Sequence, residues 1–182
     1  MMENEEELMR LLAAVARQDR QAFQTLYQCL AAPMFGLCRT LAGQQELAEE
    51  ALQDAFIRIW HHAGEYHNER GSPKSWMMTI ARYRTLDLMR ARKVRLGTSE
   101  EDFNSVEDVR QGPLETSLHR EGSKALVGCM DELSHSQRDS IILAYYRGFT
   151  HDELSAFLST PVGTVKSWIR RGLLALKRCL EQ

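Results

Sequence analysis

Residues Gly148 to Gln182, GFTHDELSAFLSTPVGTVKSWIRRGLLALKRCLEQ, constrain the fold more than any other stretch, because they spell two helices separated by a proline-marked break. Thr150 and Glu153 have the spacing of a capping box, in which a hydroxyl and a carboxylate satisfy backbone N–H groups that a first helical turn leaves unpaired. Leu154, Phe157 and Leu158 give that helix an apolar face. Thr160-Pro161 ends it, since proline disfavours helical geometry in the residue before it, and Gly163-Thr164 lies in the start of the next helix. Two helices joined at an angle by a short turn form a helix-turn-helix.

From Lys166 to Arg178 the second helix carries Lys166, Arg170, Arg171, Lys177 and Arg178 and no acid, while Val165, Ile169, Leu173, Leu176 and Leu180 recur at helical spacing. One face is expected to pack. The other carries a single sign of charge, which a merely solvated face does not require and a polyanion does, since each neutralised phosphate releases counterions. This last stretch of the chain points to a DNA groove.

A length of 182 residues with 43% hydrophobic side chains allows one or two small domains with real cores. No run of eighteen apolar residues occurs and Met1 to Glu7 is acidic, so neither a membrane span nor an export signal is expected, and the cytoplasm is the default compartment. Cys29, Cys38, Cys129 and Cys179 lie far apart without a C-x-x-C pair. They are expected as reduced thiols in helix packing, not as a zinc site or a disulfide frame.

The net charge of -2 hides a segregated distribution. Arg82 to Arg95 holds six basic residues and one acid, whereas Leu96 to Leu118 holds six acids and one base. That reversal, with Gly112-Pro113 and little apolar periodicity, marks residues 96–118 as an acidic flexible linker between domains at 1–95 and 119–182. Nothing alternates like a strand and no internal repeat is visible, so the fold class is all-α, two small helical domains. Helices are expected near 5–17, 19–41, 45–63 and 73–95, then near 115–132, 136–146, 150–158 and 161–180.

In the helix near 45–63, Leu52, Ala55, Phe56 and Ile59 form an apolar stripe, while Glu50, Gln53 and Asp54 project together on another face. That polar face is either simply solvated or a docking surface for a basic partner. The loop GEYHNERGSPKSW follows, with Ser72 a fitting N-cap and Pro73 a fitting first helical residue. Trp76, Ile80 and Leu86 can face a core, and Arg82, Tyr83, Arg90, Arg92 and Lys93 set an aromatic among cations. Unpaired bases stack on aromatics inside cationic grooves.

The segments DRQAFQTLY (Asp19 to Tyr27), AEEALQDAFIRIW (Ala48 to Trp60), ERGSPKSWMMTIARYRTLD (Glu69 to Asp87) and GTVKSWIRRG (Gly163 to Gly172), in this order and spacing, resemble a sigma-70 family initiation factor of the extracytoplasmic-function class. The resemblance covers most of the chain and implies a bacterial RNA polymerase subunit that reads promoters. It implies that the first domain, region 2, docks on the clamp helices of the largest polymerase subunit and melts the -10 element. The second, region 4, would read the -35 element and bind the flap of the second-largest subunit. By similarity Glu50, Gln53 and Asp54 match clamp-binding positions. Tyr66, His67, Asn68 and Arg70 match the segment that captures a flipped -10 base, and Arg82, Tyr83 and Arg90 the helix facing the non-template strand, Tyr83 standing where family members commonly have Asn. Thr164, Lys166, Ser167, Arg170 and Arg171 match the recognition helix. The resemblance also implies an anti-sigma factor as partner, no cofactor or metal, and no enzymatic activity.

Two rival readings are weaker. A stand-alone helix-turn-helix regulator would need a dimer seam or effector pocket, and the sequence shows neither. An enzyme acting on nucleic acid could draw on His61, His62 and His67 near Glu65 and Glu69 as metal ligands, but His61 and His62 are adjacent and point to different helix faces.

Overall fold

The computed structural model describes residues 5–96 and 121–181, with side chains for all of these except residues 70, 96 and 121–124. They fall into two compact units, within residues 1–99 and 100–182. Among the described residues every regular element is helical, in keeping with the absence of strand alternation. The expected linker lies outside the described residues except for Leu96, which closes a helix, and so does the 115–120 portion of the helix expected near 115–132.

The first unit is built from α1 (Glu5–Ala16), α2 (Arg20–Ala42), α3 (Gln45–His62) and α4 (Pro73–Leu96), with 3-10 turns at Ala63–Glu65 and Asn68–Arg70. Asp19 starts α2 by accepting hydrogen bonds from the N–H groups of Gln21 and Ala22 at 2.9 and 3.1 Å. Gly43, at φ 68°, ends it in the left-handed conformation that glycine adopts without steric cost. Pro33, which has no N–H to donate, sits on the exposed side of α2, and the helix runs through it. Leu26, Leu30, Met34 and Cys38, each four residues from the last, are fully buried. The expected stripe Leu52, Ala55, Phe56 and Ile59 is buried too, joined by Ala48 and Ala51. These small side chains leave room for α2 and α4, both of which contact α3. Ser72 caps α4 as expected, accepting from the Ser75 N–H at 3.2 Å, and Pro73 is its first residue.

The second unit holds α5 (Glu121–Asp131), α6 (His135–Tyr145), α7 (His151–Phe157) and α8 (Val162–Leu180), with α8 in contact with each of the other three. The expected capping box forms at Thr150 and Glu153, and a second one, Ser134 with Gln137, opens α6. Val165, Ile169 and Leu176 are buried as the pattern of α8 requires. Leu173 and Leu180 are not: Leu180, the last residue of the helix, is 48% exposed, and Leu173 is 36% exposed because Gly172 occupies the core-facing position in its turn. A Cβ there would lie 2.6 Å from Ile141 Cδ1 and 3.3 Å from Gln137 Cβ, so the absence of a side chain lets α8 approach α6 closely.

The cysteine expectation needs correction. Cys129 of α5 and Cys179 of α8 form a disulfide with Cα atoms 5.8 Å apart, although 50 residues separate them in sequence. Spacing along the chain carries no information about two helices brought side by side by packing, and 5.8 Å is an ordinary bridging distance. Cys29 and Cys38 take no part in a disulfide. Burial raises the pKa of Cys38, a shift opposed by hydrogen bonds from Thr85 and its own backbone.

Candidate functional site

The polar patch of α3 is less uniform than its spacing suggests. Glu50 and Gln53 are exposed, but Asp54 is half-buried, with Oδ2 2.5 Å from Arg84 Nη2 of α4. Arg84 also reaches Asp87 Oδ2 at 3.3 Å, and Asp87 Oδ1 is 4.0 Å from Arg90 Nη1. Sequence reasoning missed Arg84. Its i,i+3 pairing with Asp87 has a local signature, but its partner 30 residues away has none.

Between α3 and α4 the chain makes two 3-10 turns, which bring the loop Tyr66 to Arg70 into a compact form. Tyr66 fixes that form: its ring lies 5.7 Å from Trp76 and its hydroxyl donates to the Gly71 carbonyl at 2.9 Å. Partial burial, and after it the Glu5 carboxylate, raise the Tyr66 pKa above the ordinary phenol value, so the hydroxyl stays a donor at neutral pH. His67 and Asn68 are exposed, and the Arg70 side chain lies outside the described residues. Trp76 packs against the core. Of the three histidines considered as ligands, His62 meets Glu65 at 2.8 Å.

On α4, Tyr83 is 56% exposed, with the Arg82 guanidinium carbon 5.5 Å from its ring centroid. Arg90 is exposed one helix turn and more beyond it. An accessible ring among cations can stack on a base while the cations hold phosphate. Arg92 instead reaches back to Gln44, the residue preceding α3, at 2.5 Å.

In the second unit the α7 to α8 turn is tightly bonded. Ser159 takes φ 48°, the Ser155 hydroxyl donates to the Thr160 carbonyl at 2.6 Å, and the Thr160 hydroxyl donates to the Leu158 carbonyl at 2.9 Å. That turn sets the start of α8, on which Lys166, Arg170 and Arg171 are exposed and Thr164 and Ser167 half-buried. Lys166, Arg170 and Lys177 rim an open hollow of about 470 Å³ whose floor includes Tyr145, Ile169 and Leu173. Of the side chains the sequence grouped, Lys166 and Arg170 lie together beside this apolar depression, while Thr164, Ser167 and Arg171 do not line it.

Residues 26–95 match Sigma-70 region 2, and residues 123–176 match Sigma-70, region 4. The chain is similar to the ECF RNA polymerase sigma factor SigK of Mycobacterium ulcerans (strain Agy99), 32% identical over 182 residues that cover 97% of this chain and 95% of that one. It is 30% identical to the SigK of Mycobacterium tuberculosis (strain ATCC 25177 / H37Ra) over 181 residues, 96% of this chain and 94% of the relative. Among solved structures it matches CnrH in complex with the cytosolic domain of CnrY, at 20% identity and a TM-score of 0.43, over 96% of this chain and 97% of that one. It also matches the sigma factor RpoE in complex with the anti-sigma factor NepR from Bartonella quintana, at 24% identity and a TM-score of 0.39, over 87% and 96% of the two chains.

Proposed function

Because the chain belongs to the extracytoplasmic-function class of sigma-70 RNA polymerase sigma factors, bacterial initiation factors that bind core enzyme and direct it to promoters, we propose that its two units divide a promoter between them. The first unit, with a domain at 1–95, docks on core polymerase through Glu50, Gln53 and Asp54. It captures the melted -10 strand with the loop Tyr66, His67, Asn68 and Arg70 and the α4 residues Arg82, Tyr83 and Arg90. The second, a domain at 119–182, reads the -35 element with Thr164, Lys166, Ser167, Arg170 and Arg171. Residues 96–118 tether the two. A cognate anti-sigma factor holds the protein inactive, and its place of action is the bacterial cytoplasm; among the described residues no helix is long and apolar enough to cross a membrane.

The observation that carries this reading is the separation of two cationic helix surfaces of different character. On α4 an exposed aromatic ring sits beside the Arg82 guanidinium, which suits an unpaired base. On α8 cations follow a capped helix-turn-helix with no acid between Lys166 and Arg178, which suits the major groove of a duplex. Specificity is expected only within holoenzyme. Acidic segments bring the net charge to -2, so little global attraction to DNA remains, and exposing a base requires strand separation that costs a few kcal/mol.

The test is a titration of fluorescent promoter duplex at physiological salt, with and without core enzyme, alongside run-off transcription. Core-dependent binding and a defined start site are expected. Nanomolar, sequence-specific binding by the isolated chain would instead identify a stand-alone regulator.

A further inference from the structure

Arg84 belongs to none of the three surfaces, yet it touches one of them. Its side chain is only 19% exposed, between α3 and α4, and its two Nη atoms reach two carboxylates, Asp54 at 2.5 Å and Asp87 at 3.3 Å. A forked guanidinium can bond both in a fixed geometry, which a lysine ammonium on a flexible stem does not reproduce. An aspartate on a solvated helix face would be free to change rotamer, whereas Asp54 is held. Only its Oδ2 takes part in this pair, and a carboxylate accepts through both oxygens. Oδ1 therefore keeps capacity for a further donor. Asp87 also meets Arg90 at 4.0 Å, so these two aspartates and two arginines balance in charge, and the exposed Glu50 beside them keeps the acidic character of the patch.

We infer that Arg84 is a positioning residue for polymerase docking: from α4 it holds Asp54 of α3 in the orientation in which the second carboxylate oxygen meets a cation of core enzyme. The inference rests on the assignment of Asp54 to the docking patch. It also makes α4, the helix assigned to the -10 strand, a structural part of the docking surface.

A double-mutant cycle on the full chain tests it, reading core affinity by competition at a temperature where melting curves show every variant folded. Asp54→Asn is expected to weaken core binding about tenfold, a mid-range value for neighbouring side chains that share an interaction. Arg84→Met, which keeps the stem and removes the fork, is expected to weaken it by a similar factor. The double variant should be no worse than either single one, because both act through one carboxylate. Arg84→Lys should recover part of the loss. Met77→Ala, in the same buried core but away from Asp54, should lower the melting temperature and leave core affinity unchanged, which separates positioning from general loosening. If Asp54→Asn binds core normally, the docking assignment falls and the inference with it. If Asp54→Asn weakens binding while Arg84→Met does not, or if the two losses multiply, the assignment stands and the positioning role is refuted.

Discussion

In the first unit α1 to α4 and the turn after α3 feed one continuous core, whereas the second unit splits a smaller core into two clusters, one around Ile141, Ile142 and Leu176 and one around Leu143, Leu154 and Val165. A domain of about sixty residues buries a smaller share of its surface than a larger one and is marginal on packing alone. The second unit compensates with local devices: two full capping boxes, a close approach at Gly172 and a disulfide between α5 and α8. Its α7 has seven residues, too few for a helix to persist without such support. The first unit is therefore vulnerable through its packed side chains and the second through its fasteners.

The sharpest way to break that comparison is a cavity in the larger core. Leu30 is fully buried in α2, and Leu30→Ala is expected to destabilise the first unit by about 2–5 kcal/mol. Trp60 and Trp76 report on this unit and Trp168 on the other, so single-tryptophan versions distinguish their denaturant transitions. Only the transition reported by Trp60 or Trp76 should move. An equal shift at Trp168 would mean that the contrast between separate cores is mistaken.

Opening the disulfide tests the second unit's side of the contrast. Cys129→Ser with Cys179→Ser, or reduction, should cost that unit about 2–4 kcal/mol, since the bridge closes a long loop and restricts the unfolded chain. The transition seen through Trp168 should shift and the other should not, because Cys29 and Cys38 are unbridged. A thiol titration that counts four free cysteines in protein handled without reductant would show that the bridge does not form.

Much of both units was legible because their signals are local. The stripe on α3, the Ser72-Pro73 start of α4 and the Thr150 box each depend on residues within a turn or two, and each lies where the pattern requires. The Ser134 and Gln137 box has the S-x-x-Q form of that signature and starts α6 at His135, one residue before the expected 136. The disulfide, the Asp54 to Arg84 pair and the core-facing Gly172 were not readable, because each joins segments distant in sequence. Leu173 illustrates the same limit: it fits the apolar period of α8, but a glycine one residue earlier takes the buried place.

A smaller effect is expected at the surface of α8. Arg171 is exposed, and its Nε donates to the Ser167 carbonyl at 3.3 Å within its own helix, so Arg171→Ala should hardly change stability. Its effect belongs to holoenzyme binding. Loss of a base contact should cost about 1–3 kcal/mol and relax preference at one -35 position, whereas loss of a phosphate contact should weaken all sites and lower the salt slope by about one. Measurements on a panel of -35 variants separate these cases, and equal binding throughout would remove Arg171 from the interface.

The smallest effect sharpens the comparison most, because it compares two fasteners of the same kind. In the α7 box the Thr150 hydroxyl accepts from the Glu153 N–H at 3.2 Å, while in the α6 box the Ser134 hydroxyl accepts from the Gln137 N–H at 3.4 Å, and these are the bonds that alanine at either site removes. The α7 bond is the shorter, and α7 has seven residues against eleven in α6, so less helix remains to hold its first turn. Thr150→Ala is therefore expected to cost about 1 kcal/mol and Ser134→Ala less, with glycine at either site costing only a few tenths. Because α7 packs on α8 and sets the turn that starts it, the Thr150 change should also weaken -35 binding within holoenzyme, while the Ser134 change should leave it nearly untouched. Denaturant melts followed at Trp168, paired with -35 titrations, provide both readings. Equal stability losses at the two sites would mean that the short α7 depends on its cap no more than α6 does, and a DNA defect confined to the Ser134 variant would mean that α6, not α7, sets the position of the recognition helix.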